Sequence, residues 1–218
     1  MGERKGADRL LSIVLLLLLG GNLYALAAKR SPVRRYLEGV RTHRATARAL
    51  AANWSRIIHM SSRIDTLGVS ASLVEFADYE CPFCRRSAQA LDTVFNNLGI
   101  GVVFLHVPLP FHANARPAAR AAICAEKLGH FREMHHWLMT SAAWSTGNDW
   151  VGHARSAGIE DTVGFRHCLD SKDPDERLDA DLALASQLGI EGTPTFFSSR
   201  RRYTGLLSRD SLVALVRP

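Results

Sequence analysis

The chain has 218 residues, 47% of them apolar, enough for one hydrophobic core of ordinary size and inconsistent with a disordered polymer. Its net charge of +6 belongs to one segment: residues 29–63 carry nine Lys or Arg against the single acid Glu38, whereas residues 64–218 carry 15 basic and 18 acidic side chains. A slightly acidic globular part argues against a nucleic-acid partner.

In chain order, residues 1–9 form a short basic N-terminus with Arg4, Lys5 and Arg9. Residues 10–28, "LLSIVLLLLLGGNLYALAA", hold no charge and are just long enough to span a bilayer as a helix. Two readings stand for this segment. One is a retained transmembrane anchor, favoured by the span length. The other is a cleavable signal, with a break at Gly20-Gly21 and a small-x-small site at Ala25-Leu26-Ala27. Lys29, Arg30, Arg34 and Arg35 follow the span, and the positive-inside rule would keep that flank cytoplasmic. Residues 29–66 read as a basic, Ala-rich helical linker and solvated stalk, with anionic lipid headgroups as a further contact.

Residues 67–218 form the expected globular domain. "SLVEFADY" alternates and carries β-formers, so it predicts a strand; Ala88, Leu91 and Phe95 then recur at helical spacing. "GVVFLHVPL" predicts a second strand, ended by Pro108 and Pro110. A helical insert follows at about 113–188, in which "GHFREMHHWLM" places Phe131, Met134, Trp137 and Leu138 on one face as core. His106 and His112 read as loop or helix-end histidines. "TPTFFSS" and "RRYTGLL" predict a hairpin with Arg200, Arg201 and Arg202 at a solvated tip, and "SRDSLVALV" a closing helix capped by Ser208. The fold class is therefore α/β: a small mixed sheet flanked by helices, with an all-helical subdomain inserted midway.

The chemistry lies in "VEFADYECPFC". A C-x-x-C pair serves zinc sites as well as redox sites, but Cys124 and Cys168 stand singly in separate predicted helices, and no second close-spaced pair completes four ligands. The redox reading explains more. Pro82 suits the first turn of a helix, which places Cys81 at the helix N-terminus, where unpaired N–H groups and the helix dipole favour a thiolate. Such a site lowers a cysteine pKa from its ordinary ~8.5, and Cys84, one turn on, is shielded and placed to resolve a mixed disulfide. Glu75 lies six residues before Cys81 in an apolar strand; buried, it is a proton acceptor for Cys84, and the alternative is an edge carboxylate facing water. A cis bond at Thr193-Pro194 would expose the Thr193 backbone to an extended client.

Together these elements resemble the thioredoxin superfamily, and more closely its DsbA-like branch, over about residues 70–216. The resemblance rests on "VEFADYECPFC", on Thr193-Pro194, on the helical insert, and on "HVPLPFHANARPAARAAICAEKLGHF" and "FRHCLDS". It implies a thioredoxin fold, Cys81 as the attacking cysteine, Cys84 as the resolving one and Glu75 as the buried acid. Thr193, Pro194 and Phe83 are then the substrate-binding set, with Pro194 the cis-proline that faces the pair. It also implies protein thiols and disulfides as substrates, a membrane or soluble redox partner that resets the pair, no cofactor and no metal. The domain is expected as a monomer on the extracytoplasmic (periplasmic) side, secreted or held to the membrane by its N-terminal helix. Cys124 and Cys168 stand either as two buried free thiols or as a structural bridge, and the resemblance tips the reading toward the bridge. Closing a loop of about 45 residues, the bridge would stabilise by roughly 3–4 kcal/mol.

Two positions depart from the branch, Phe83 and Thr193. DsbA oxidases carry histidine where this chain has Phe83, and that histidine stabilises the thiolate; Phe83 cannot, so a less oxidising pair is expected. Thr193 before the proline looks more like the isomerase and reductase branches. A reductase or isomerase fed by a membrane electron donor is thus the first rival reading. The second is a redox-inactive module that holds peptides or zinc.

Overall fold

The computed structural model describes residues 71–98, 100–199 and 201–216, together with positions 14–16, 18–21, 24, 52, 54, 55, 57, 62 and 63. The chain separates into two compact units, residues 1–48 and 49–218. In the first unit the described positions between 14 and 24 are helical. Among the described residues no helix is long and apolar enough to cross a membrane; most of the expected span 10–28 lies outside them.

The second unit is built on a five-stranded sheet ordered β1-β3-β2-β4-β5: β1 Ser62–Arg63, β2 Ala71–Ala77, β3 Gly101–His106, β4 Thr195–Phe197 and β5 Arg202–Thr204. β2 and β3 run parallel, joined over the sheet by helix α1, Pro82–Leu98; every other pairing is antiparallel. Parallel central strands are covered on both faces, and so they read as nearly continuous apolar runs. β3 is buried at all six positions and β2 from Leu73 to Ala77. A carboxylate inside such a strand has no water to face, which decides the reading of Glu75: it is buried.

The two faces of β2 feed two clusters. Leu73 and Ala77 point into the larger one with Tyr79, Cys81, Cys84, Leu91 and the inserted helices. Val74 and Phe76 point into the other, with Val103, Leu105, Leu184, Leu188 and Phe197. Ile57, 2% exposed, belongs to this second cluster, and Trp54 packs against it. The linker is therefore not a solvated stalk throughout. Trp54 and Ile57 help cover one face of the sheet, and Ser62–Arg63 pair with β3 where a helix to residue 66 is expected.

The insert comprises α2 Ala115–Lys127, α3 Phe131–Thr140, a 3-10 turn Ala143–Ser145, α4 Trp150–Ser156, α5 Thr162–Asp170 and α6 Asp173–Gln187. Alanines 118, 121, 122 and 125 line the buried face of α2, small enough for neighbouring helices to approach closely. Asp149 and Asp161 cap α4 and α5 by accepting the Gly152 and Gly164 N–H groups, each at 2.8 Å. Phe131, Met134 and Leu138 are buried as their spacing predicts, with Trp137 half-buried. The closing helix α7, Arg209–Val216, is capped by the Ser208 hydroxyl, which accepts from the Ser211 N–H at 3.2 Å. At the hairpin, Arg201 and Arg202 are not a free tip: Arg201 donates to the Ala214 carbonyl, and Arg202 donates to that of Gly189 at 3.0 Å and lies over the Phe197 ring.

Candidate redox site

β2 ends at Ala77, and three residues, Asp78 to Glu80, turn the chain into α1. Cys81 occupies the N-cap: its N–H donates to the Asp78 carbonyl at 3.2 Å, and its own carbonyl accepts from Arg85 N–H at 3.1 Å. Both active-region thiols are free. They are unequal, because Cys84 is wholly buried while Cys81 retains 4% exposure at the helix mouth.

Hydrogen bonding widens the inequality. The Cys81 thiol is held down from its ordinary 9.0 to about 5, first by the hydrogen bond from the Cys84 thiol, then by the Cys84 N–H, the Thr193 side chain and the Phe83 N–H, all against the opposing pull of burial. Cys84 is pushed up, chiefly by burial, then by donating to Cys81, with the Glu75 charge adding; only the Asp78 N–H, 3.5 Å from its sulfur, pulls the other way. One thiol is thus a thiolate at neutral pH and the other holds its proton.

Glu75 is 2% exposed, and its Oε1 has no hydrogen-bond partner among the described residues. Burial raises its carboxyl from 4.5 to about 8. It shares a face of β2 with Ala77, whose cluster contains Cys84, and its charge acts on that buried thiol.

The Thr193-Pro194 bond is cis. The Thr193 carbonyl lies 3.4 Å from Cys81 Sγ, and the Thr193 hydroxyl is buried with no other hydrogen-bond partner among the described residues, which leaves it for the thiolate. The Pro194 carbonyl accepts from Gly205 N–H at 2.8 Å, tying this strand to β5. Phe83 points outward, 49% exposed, with the Arg86 guanidinium 4.8 Å above its ring. The structure thus gathers Cys81, Cys84 and Thr193 in direct contact, with Glu75 behind and Phe83 at the rim. Cys124 and Cys168 lie apart: they join α2 to α5 by a disulfide within the insert. No group of three or more His, Cys, Asp or Glu among the described residues is placed to hold a metal ion.

Several residues around the pair carried no motif in the sequence. Asp78, its side chain fully buried, accepts from the N–H groups of Glu80 and Leu109 and contacts His112 Nδ1, each at 2.7 Å. Glu80 accepts from Asn114 N–H at 2.7 Å. Arg85 donates to the carbonyls of Leu138 at 2.7 Å and Ser141 at 2.9 Å. An open groove of about 420 Å³ runs from Pro82 and Arg86 to Trp144 and Ser145 beside the pair. The one available signal is three acids within "EFADYE", more than an apolar strand end entering a core ordinarily holds. His106 corrects its loop reading: it closes β3, wholly buried, in a box with Tyr79, Phe104, Phe131 and His135. The Tyr79 hydroxyl meets His135 Nδ1 at 3.2 Å, and burial holds His135 down at about 3 and His106 well below its usual value, so both are neutral.

A mixed sheet carrying a C-x-x-C pair at a helix N-terminus, opposite a cis-proline and interrupted by a helical subdomain, defines a thioredoxin fold with a helical insert. The chain belongs to the thioredoxin family: the family model described as Thioredoxin matches residues 69–217. Its fold is similar to that of a linker-deletion mutant of ScsC from Proteus mirabilis, with a TM-score of 0.75 and 22% identity over 90% of this chain and 92% of that one. It is similar also to the thiol-disulfide exchange protein alpha-DsbA2 from Wolbachia pipientis, with a TM-score of 0.68 and 18% identity over 81% and 96% of the two chains. Among curated proteins it matches the Na(+)/H(+) antiporter NhaA 3 of Salinispora tropica, 29% identical over 89% of this chain. The chain spans only 29% of that relative's length.

Proposed function

We propose that this chain is an exported oxidoreductase that exchanges disulfides with protein substrates through Cys81 and Cys84. The observation that carries the reading is the inequality of the two thiols, one held as a thiolate at the helix mouth and the other buried and protonated. In the reducing direction the Cys81 thiolate attacks a client disulfide, and one client sulfur leaves as a thiolate that takes a proton. Glu75, as carboxylate, then accepts the Cys84 proton. The Cys84 thiolate attacks Cys81 of the mixed disulfide, and the second client sulfur leaves, so that the client gains two electrons and the enzyme holds a disulfide. In the oxidising direction the same steps run backward: a client thiolate attacks the enzyme disulfide at Cys81, and a second client thiol displaces it. Thr193 lines the client chain beside Cys81, and Phe83 offers it an apolar rim. A membrane or soluble redox partner resets the pair.

The Cys124–Cys168 disulfide supports an oxidising, extracytoplasmic compartment. The apolar run at residues 10–28 supports export, as an anchor or a signal, and the domain acts as a monomer. The Phe83 side chain favours a reductant or isomerase over a strong oxidant, since, unlike an imidazole, it adds no hydrogen bond to the thiolate beyond that of its backbone N–H.

Replacing Cys84 by Ala tests the reading. The variant should accumulate mixed disulfides with client proteins that release on reduction; a chain that traps none while binding peptides unchanged is a passive module. Glutathione equilibration then sets the direction: a potential near ~−120 mV marks an oxidant and one near ~−270 mV a reductant. Carbonate extraction of cell membranes, with Cys124 and Cys168 assayed for oxidation, tests the compartment.

A further inference from the structure

Asp78 touches both halves of the pair with its main chain: its carbonyl holds the Cys81 N–H at 3.2 Å, and its N–H points at Cys84 Sγ at 3.5 Å. Its side chain does something separate. The carboxylate, with no exposed surface, gathers the Glu80 N–H on Oδ1 and both the Leu109 N–H and the His112 ring on Oδ2. These partners lie on two segments, the turn that carries Cys81 and the loop that follows β3. The other side chains of the turn are engaged elsewhere, Tyr79 with His135 and Glu80 with the Asn114 N–H. From this geometry we infer that Asp78 is a positioning residue for the redox pair, its carboxylate clamping the turn whose backbone aims both sulfurs.

Only a carboxylate meets the demand. It has about four acceptor sites and no donor, whereas an asparagine turns an N–H toward one of the three donors and alanine satisfies none. A loosened turn misaligns the Cys84 thiol and the N–H groups of Cys84 and Phe83 that hold the Cys81 thiolate. The charge of Asp78 acts in the opposite sense, because a nearby anion disfavours a second one. Positioning and charge therefore predict shifts of opposite sign on its removal.

The experiment is the pH dependence of iodoacetamide alkylation of Cys81 in the full chain, for wild type, Asp78→Ala and Asp78→Asn. Positioning predicts a midpoint raised by about one unit in Asp78→Ala, a roughly tenfold loss of thiolate below the midpoint, with Asp78→Asn between it and wild type. Midpoints lowered in both variants, as a pure charge effect requires, overturn the inference. So do unchanged midpoints, which would leave Asp78 a purely structural residue. If Asp78→Ala does not fold, Asp78→Asn decides alone by the same signs. The inference rests on the oxidoreductase reading, but alkylation needs no client, so its failure leaves the Cys84→Ala trapping result standing.

Discussion

Cys81 and Cys84 sit three residues apart and differ in protonation because one helix end donates to the first and buries the second. Glu75 is the third member of this arrangement and its pH behaviour is separable. Folding raises its pKa from 4.5 to about 8, so across that window the native state binds the extra proton and stability falls as pH rises. The full effect is roughly 5 kcal/mol. Cys81 runs the other way: its depressed pKa stabilises the reduced fold fully above 9, and that contribution is lost as pH falls toward about 5. Glu75→Gln removes the first contribution alone. Urea denaturation at pH 5 and pH 9 should show the variant gaining on wild type by several kcal/mol at the higher pH, while release of a mixed disulfide by Cys84 slows; equal differences at the two pH values would show that Glu75 does not titrate near 8. At the rim, Phe83→His restores a donor to the thiolate. It should make the pair more oxidising by roughly 30 mV or more, read by glutathione equilibration.

Between elements, two ties hold the helical insert to the thioredoxin core and to itself. Arg85, on the first turns of α1, reaches the last carbonyls of α3 and the loop after it, and its guanidinium lies 5.8 Å from the Trp144 ring centre. Hydrogen bonds from a charged donor are worth more than neutral ones, so Arg85→Ala should cost about 2 kcal/mol in chemical denaturation. It should also loosen the groove beside Cys81. The Cys124–Cys168 bridge acts inside the insert. Replacing both cysteines by alanine should cost roughly 3–4 kcal/mol and leave the Cys81 thiolate titration where it was, because the bridge ties α2 to α5 and supplies none of the hydrogen bonds that hold the thiolate. A moved titration midpoint would show the insert coupled to the site through its packing.

For the molecule as a whole, the sheet needs cover on both faces, and the two clusters supply it from different parts of the chain. The insert and α1 cover one face; α6 and the segment around Trp54 and Ile57 cover the other. A fragment starting at residue 64 would lose Ile57 and β1, whereas one starting at residue 49 keeps them. Burial of an isoleucine contributes about 1.5–3 kcal/mol, so the longer fragment should melt several degrees higher in thermal unfolding. Identical melting would mean that the linker adds nothing to the core.

Local pattern was enough to read the order of elements from β2 onward, the position of Cys81 at a helix start and the helical insert. Each follows from a local cause: apolar spacing, a proline in the first turn, a serine cap. Local pattern also named the residues of the pair and of the Thr193-Pro194 strand. Only the tertiary structure decided the rest. Glu75 was readable as buried or exposed until β2 proved to be central in the sheet, since burial depends on what covers a strand and not on the strand. His106 looked like a loop residue until β3 carried it into an aromatic box. The linker looked solvated until Ile57 met the sheet. Asp78 left no motif at all, because its three partners come from a turn and from a loop some thirty residues on, and a hydrogen bond across that distance leaves no periodicity to read.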